Sequence, residues 1–298
     1  MRTAWRWPAG AAILVVVARQ TGGDPFARGV SGLDVPTLVL GACLAVVTTA
    51  ACAWRWRLVA SQLGVDIGAP AAFAACYRSQ FLNTVLPGGV LGDVHRGVVH
   101  GRAAGATGLA LRSVWWERFA GQVVQAVMAV VVLLLLPSPA LRLVPGVLLL
   151  TVVGLGGVVL VRSALPAGAV AGIVAASTVA VSGHVATFLL AARAMGVTVP
   201  LATLLPLAVL VLVAAGLPLN LAGWGPREGM AAWAFAAAGI GAADGVATAV
   251  AFGTIVLVAN LPGVVLLVAR RPSPGTRQVE NRSTGHPPRV VPGGAPRA

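Results

Sequence analysis

Charge is what this chain has least of. Only 10% of its 298 residues are Asp, Glu, Lys or Arg, against about 25% in an average soluble domain. Lysine is missing altogether, so all 21 basic residues are arginine; we attach no function to that absence. Cysteine is scarce: Cys43, Cys52 and Cys76 lie in or near apolar segments without CxxC spacing, and the four His are scattered. No metal site is expected from that pattern, no cofactor is implied, and the cysteines read as buried apolar residues. Neither a Walker loop, a dinucleotide fingerprint nor a GxSxG elbow occurs. Strict polar–apolar alternation is also missing from runs such as "VVQAVMAVVVLLLL" (123–136), which excludes an outer-membrane barrel.

What the chain has is apolar length. It is 58% hydrophobic with mean hydropathy +0.90. Several runs approach the ~20 residues that cross a bilayer. Spans are predicted near 5–19, 36–54, 108–136, 143–161, 168–191 and 246–269. The fold class is therefore all-α integral membrane, with about six transmembrane helices in a domain covering 1–269. The tail 270–298 is rich in Pro, Gly and Arg, and is expected to be disordered because it cannot bury enough apolar surface.

The net charge of +13 reads as membrane topology rather than nucleic-acid binding. Arg2 and Arg6 precede the first span, Arg55 and Arg57 follow the second, and six Arg lie in the tail. Placing all of these in the cytoplasm satisfies the positive-inside rule. The chain is then a multi-pass protein of the cell membrane with both termini cytoplasmic, and the loop 20–35 faces outside.

Two islands interrupt the oil: "QFLNTVLPGGVLGDVHRG" (80–97) and "LPLNLAGWGPREG" (217–229). Pro87 followed by Gly88 and Gly89 cannot continue a helix. Backbone freed at membrane depth is tolerated only inside protein or beside a wet cavity. Asn83, one turn earlier, has an amide able to satisfy it. Gly92 allows a tight start to the next helix, and Asp93 suits that helix's positive end. The second island carries Pro218, Asn220, Gly223, Gly225 and Pro226, then Arg227 and Glu228 at a helix start, where an anion is well received. Charge counting makes both islands re-entrant hairpins, one in each half (1–136 and 143–269). Each half would cross three times, the logic of an inverted repeat.

The candidate site follows from these islands. Arg96 and Arg227, with Asn83 and Asn220, are expected to hold a lipid headgroup, since the guanidinium fork matches phosphate. Asp93, Glu117 and Glu228, together with Arg118, would serve as counter-ions or coupling groups. Pro87, Gly88, Gly89, Gly92, Gly223 and Gly225 shape the hairpin backbone. Glu117 and Arg118 sit in "SVWWERFAG" (113–121); intramembrane charges usually face a partner or a cavity. The other reading, the favoured one for Arg118, is an interfacial pair snorkelling at the span's end. His184 reads as hydrogen-bonded to a neighbouring helix, Asp244 as an N-cap, Trp115 and Trp116 as interfacial anchors, and Arg55 and Arg57 as topology determinants.

Taken in order and spacing, the two islands and "SVWWERFAG" resemble the lysylphosphatidylglycerol synthase transmembrane-region family, a flippase-like membrane domain. The likeness covers roughly 35–270. It departs at Leu91, where many members have Gly. The resemblance implies a membrane domain that moves anionic or modified lipids, or lipid-linked sugars, between leaflets. Fused members carry a soluble aminoacyl-transferase domain. Here only the short tail follows the last span, so lysyl transfer is not expected to carry over.

The expected function is thus a flippase or scramblase-like transporter of a phospholipid or polyprenyl-phosphate-linked headgroup, and not an enzyme. The rival is a non-transporting subunit that anchors or regulates a transferase partner. No nucleic-acid partner is expected, and the sequence leaves the oligomeric state open. A phosphatase reporter active only outside the cell, inserted in the 270–298 segment, is expected to be silent; activity there would reverse the orientation.

Overall fold

The computed structural model describes residues 6–86, 88–134, 156, 166–216 and 224–268. The expected span 143–161 lies outside these residues except for Gly156, as do Pro87, Pro218, Asn220, Gly223 and the 270–298 tail. Among the described residues the fold is entirely helical. Helix α1 covers Arg6–Thr21, α2 Asp24–Ser31, α3 Val35–Gln62, α4 Ala69–Val85, α5 Leu91–Ala103 and α6 Thr107–Leu134. Beyond the undescribed stretch come α7 (Ala167–Ala194), α8 (Leu201–Ala215), α9 (Pro226–Ala237), α10 (Ala242–Asn260) and α11 (Pro262–Val268).

Four rather than six helices among the described residues are long and apolar enough to cross a membrane: α3, α6, α7, and α10 continued through α11. A 28-residue helix is about 42 Å long, more than the ~30 Å hydrocarbon core. The predicted first span is α1, whose 16 residues fall short of the usual crossing length. The long helices also expose apolar side chains that water would not tolerate in bulk. Val39, Leu40, Val46 and Val47 on α3, Val127 and Val131 on α6, and Val174 and Val179 on α7 are all outward. Surface of that kind is covered by lipid or protein. The protein is a multi-pass membrane protein.

Each island falls, in chain order, at the junction of two helices that pack together. Helices α4 and α5 lie against one another across residues 86–90, and α8 and α9 do so across 216–225. Their arms are 17, 13, 15 and 12 residues long.

A repeat is visible in the helix order. Starts at 35, 69, 91 and 107 recur at 167, 201, 226 and 242, spacings of 132, 132, 135 and 135 residues. Packing recurs with it: α3 touches α10 as α7 touches α6, and α4 touches α10 as α8 touches α6. Such reciprocity is the mark of a two-fold relation. The equivalent helices α3 and α7 pack directly and antiparallel. Leu58 faces Gly172, Arg55 bonds Ser177 and Thr48 faces Gly183, so numbers fall on one helix as they rise on the other. Each repeat has its own apolar centre. The first gathers Ala53, Trp56 and Ala60 of α3 with Ala72 and Cys76 of α4; the second is larger, built around Phe188, Phe235 and Phe252.

Two expectations are corrected. The loop 20–35 contains a helix, α2, which packs on α10. Pro25 starts it, and Gly29 lets it approach so closely that a Cβ there would stand 2.6 Å from Val250. Asp244 is not an N-cap. Gly241, at φ 119°, holds that position, and Asp244 lies one turn in, accepting from Arg28 at 3.3 Å. A true side-chain cap occurs at Asp34, which accepts from Thr37 N–H at 3.0 Å to start α3.

Small residues set the helix separations. A Cβ on Gly183 would sit 2.3 Å from Thr48 Cγ2 at the α3–α7 crossing. Gly183→Ala is expected to cost about 1–3 kcal/mol by overpacking, read as a lower unfolding temperature in detergent. Gly168→Ala, with open space around it, is the control and should not fall.

Candidate functional site

The first island folds by satisfying its own broken backbone. Gly88 and Gly89 take φ of 87° and 62°, conformations open to residues without a Cβ. Asn83 Oδ1 accepts from Gly92 N–H at 2.8 Å, and its Nδ2 donates to Asp93 at 2.8 Å. Gly92 is packed so tightly that a Cβ would meet the Ser79 carbonyl oxygen at 2.1 Å. Asp93, in the first turn of α5, also accepts from Ser79 Oγ at 2.8 Å. One carboxylate thus ties α4 to α5.

From Asp93 a line of alternating charges crosses the bundle. Arg96 donates through Nε to Asp93 at 3.1 Å and through Nη2 to Glu117 on α6 at 2.5 Å. Glu117 accepts on its other oxygen from Arg55 of α3, whose Nε lies 2.9 Å away. Arg55 also donates to Ser177 of α7 at 3.0 Å. Arg118 pairs with Asp93 Oδ2, the oxygen that also accepts from Asn83. Glu117 is 2% exposed and Arg96 5%, so each charge is buried only because its neighbour is.

Arg55 is therefore not a topology determinant facing the cytoplasm, since the guanidinium turns inward to a carboxylate. Arg57 is likewise engaged, donating to the Ile67 carbonyl at 2.8 Å. The cysteines are not purely apolar neighbours either. Cys76 Sγ accepts from Arg96 at 3.1 Å and Cys52 Sγ from Arg55 at 3.8 Å.

The second island supplies a smaller pair. Gly225, at φ 119°, precedes α9, and Pro226 opens it. Glu228 accepts from the Gly225 N–H at 2.7 Å and from Arg227 Nε at 2.8 Å. The Arg227 guanidinium lies over Trp224 and Phe252, 5.3 and 5.5 Å from the ring centroids. In both repeats a glycine seats a guanidinium. A Cβ on Gly121 would stand 2.8 Å from Arg55, and one on Gly253 2.3 Å from Arg227.

These groups meet at one open cavity of about 560 Å³, within the ordinary range for ligand sites. Both islands reach it: Asn83, Gly89, Asp93 and Arg96 from the first, Trp224 and Arg227 from the second. Glu117, Arg118 and His184 line it too. Glu228 stands behind Arg227. Gly88 and Gly92 shape the first tip without lining the cavity.

Sequence reasoning missed Arg55, Gln80, Gln122, Gln125 and Asn260, all at the cavity wall. A signal existed for some of them. Arg118, Gln122 and Gln125 are spaced i, i+4, i+7, and Gln80 precedes Asn83 by three, so each set shares a helix face. No such signal marks Arg55 or Asn260, each the lone polar side chain of its stretch to reach the cavity.

Residues 8–168, more than half of the chain, match the family described as Lysylphosphatidylglycerol synthase TM region. The chain belongs to that family. It is thus a membrane protein of a lipid-handling family. The match takes in the first island and "SVWWERFAG", while the second island lies beyond it. No curated protein and no solved structure matches the chain.

Glu117 holds two guanidiniums, so its removal leaves both uncompensated. Glu117→Gln is expected to cost about 3–5 kcal/mol, measured by thermal unfolding in detergent. Adding Arg55→Met should restore part of that loss, and a strictly additive double mutant would contradict the coupling.

Proposed function

We propose that this protein moves the polar headgroup of a membrane lipid between leaflets. The observation that supports this most is the shared cavity. It joins buried, compensated arginines from one repeat to Arg227 of the other, between helices that expose apolar surface outward. Headgroup and acyl chain can then be separated, the first in the cavity and the second in the bilayer.

The arms of both hairpins are shorter than a membrane crossing, which supports reading them as re-entrant. The antiparallel α3–α7 pair supports an inverted repeat, because a two-fold relating antiparallel spans lies in the membrane plane. With the arginine distribution along the chain, this favours a cell-membrane protein with cytoplasmic termini. In this reading Arg227 and Arg118 meet the headgroup phosphate. Asp93, Glu117 and Glu228 keep the arginines compensated when the site is empty, and Arg96 and Arg55 hold Glu117 in place. Asn83 supports the first tip. Rocking of one repeat against the other would open the site to alternate leaflets. The chain performs no covalent chemistry and needs no cofactor.

Leaflet exchange of acyl-labelled phospholipids in proteoliposomes tests the proposal. Wild type is expected to exchange lipid. Arg118→Gln, at a partly exposed side chain, should lose most of that rate while retaining its unfolding temperature to within a few degrees. Arg227→Gln should lose the rate as well, and also stability, because it leaves the buried Glu228 uncompensated. Absence of exchange by folded wild type for every phospholipid and lipid-linked sugar tried would favour the transferase-anchoring reading instead.

A further inference from the structure

We infer that the cavity takes a phosphodiester monoanion whose headgroup carries free hydroxyls, and that it rejects headgroups bearing an ammonium group. The inference rests on the lipid-transfer reading above and names the chemistry of its cargo.

Charge is the first ground. Arg55, Arg96, Arg118 and Arg227 line the cavity, with Asp93 and Glu117 beside them and Glu228 behind Arg227. Four cations meet three carboxylates, one short of balance, among the described residues. The undescribed stretch 217–223 of the second island, "LPLNLAG", contains no ionisable side chain. A single negative charge completes the set, which fits a phosphodiester better than a phosphomonoester dianion.

The second ground is what an ammonium group would find. It needs a free carboxylate or an open aromatic face. Asp93 is taken by Arg96 and Arg118, Glu117 by Arg55 and Arg96, and Glu228 by Arg227. The indole that lines the cavity, Trp224, is likewise occupied, by Arg227 at 5.3 Å. A net positive headgroup would add repulsion to a site already one charge in excess.

The third ground is an acceptor without a donor. Asn260 is 3% exposed and lines the cavity, yet its Oδ1 has no hydrogen-bond partner. A buried orphan acceptor costs free energy that a ligand hydroxyl would recover. Gln80, Gln122 and Gln125 line the same space, each with donor and acceptor capacity suited to a polyol. Asn260 lies seven residues beyond Gly253, the seat of Arg227, about 10 Å along α10. That separation is close to the reach of a phosphate plus glycerol or one sugar ring.

The test compares phosphatidylglycerol, phosphatidylmethanol, phosphatidylethanolamine and lysylphosphatidylglycerol, each added to the full chain in detergent, with thermal unfolding as the readout of binding. Phosphatidylglycerol should bind tightest, preferred over phosphatidylmethanol by roughly two- to tenfold, and Asn260→Ala should abolish that preference. Equal binding of phosphatidylethanolamine or lysylphosphatidylglycerol, or no binding of phosphatidylglycerol, overturns the inference. Water-soluble glycerophosphoglycerol identifies the source. If it binds as well as the lipid, the headgroup chemistry stands and the lipid reading falls. Leaflet exchange of the same lipids separates the two claims. Binding without exchange keeps the inference and removes transport, whereas exchange without headgroup preference keeps transport and removes the inference.

Discussion

Glu117 sits between two arginines, and much of the structure is arranged so that it can. A carboxylate removed from water is tolerable only when guanidiniums compensate it closely and its lone pairs are filled. Arg55 comes from α3 and Arg96 from α5, so a single side chain dictates where three helices meet. Arg96 is in turn aimed by Asp93, and Asp93 by Ser79 and Asn83 of α4. The tip of the first hairpin must therefore fold correctly before the centre of the bundle can be electrically satisfied. Local backbone repair and long-range charge compensation are the same network.

The two repeats use a common backbone device for unequal chemistry. In each, a glycine-containing island separates two short helices that pack together, and a carboxylate stands in the first turn of the second of them. Asp93 joins a five-member chain of charges, whereas Glu228 serves one arginine and one backbone N–H. The larger apolar centre belongs to the second repeat, where Phe188, Phe235 and Phe252 fill space that the first gives to polar groups. One half thus supplies bulk and the other supplies charge. Their shared cavity is lined from both.

Legibility in the sequence followed the strength of the physical signal. Long apolar runs located α3, α6, α7 and α10, because a helix facing lipid must be apolar over its whole length. Pro and Gly at the islands showed where helices stop, since those residues act on their own backbone. The pairing of Asp93 with Arg96 was readable from i, i+3 spacing, and that of Arg227 with Glu228 from their adjacency at a helix start. Helix α2 was missed because its eight residues pack by the close approach of Gly29 to another helix, which no local pattern reports. Arg55 was misread for a related reason. An arginine near the end of an apolar run has two sound explanations, and only its distance to Glu117 separates them.

The sequence by itself determined an all-helical membrane protein, the interruption of its helices at two places, and the family to which it belongs. These are local properties, set by hydropathy and by backbones that Pro and Gly cannot extend. Tertiary structure alone decided that Arg55 and Arg96 share one carboxylate, that α3 and α7 meet antiparallel, and that Asn260 faces the same cavity as Arg227. Such facts depend on residues 21 to 122 positions apart, whose proximity is fixed by packing and charge compensation rather than by spacing along the chain.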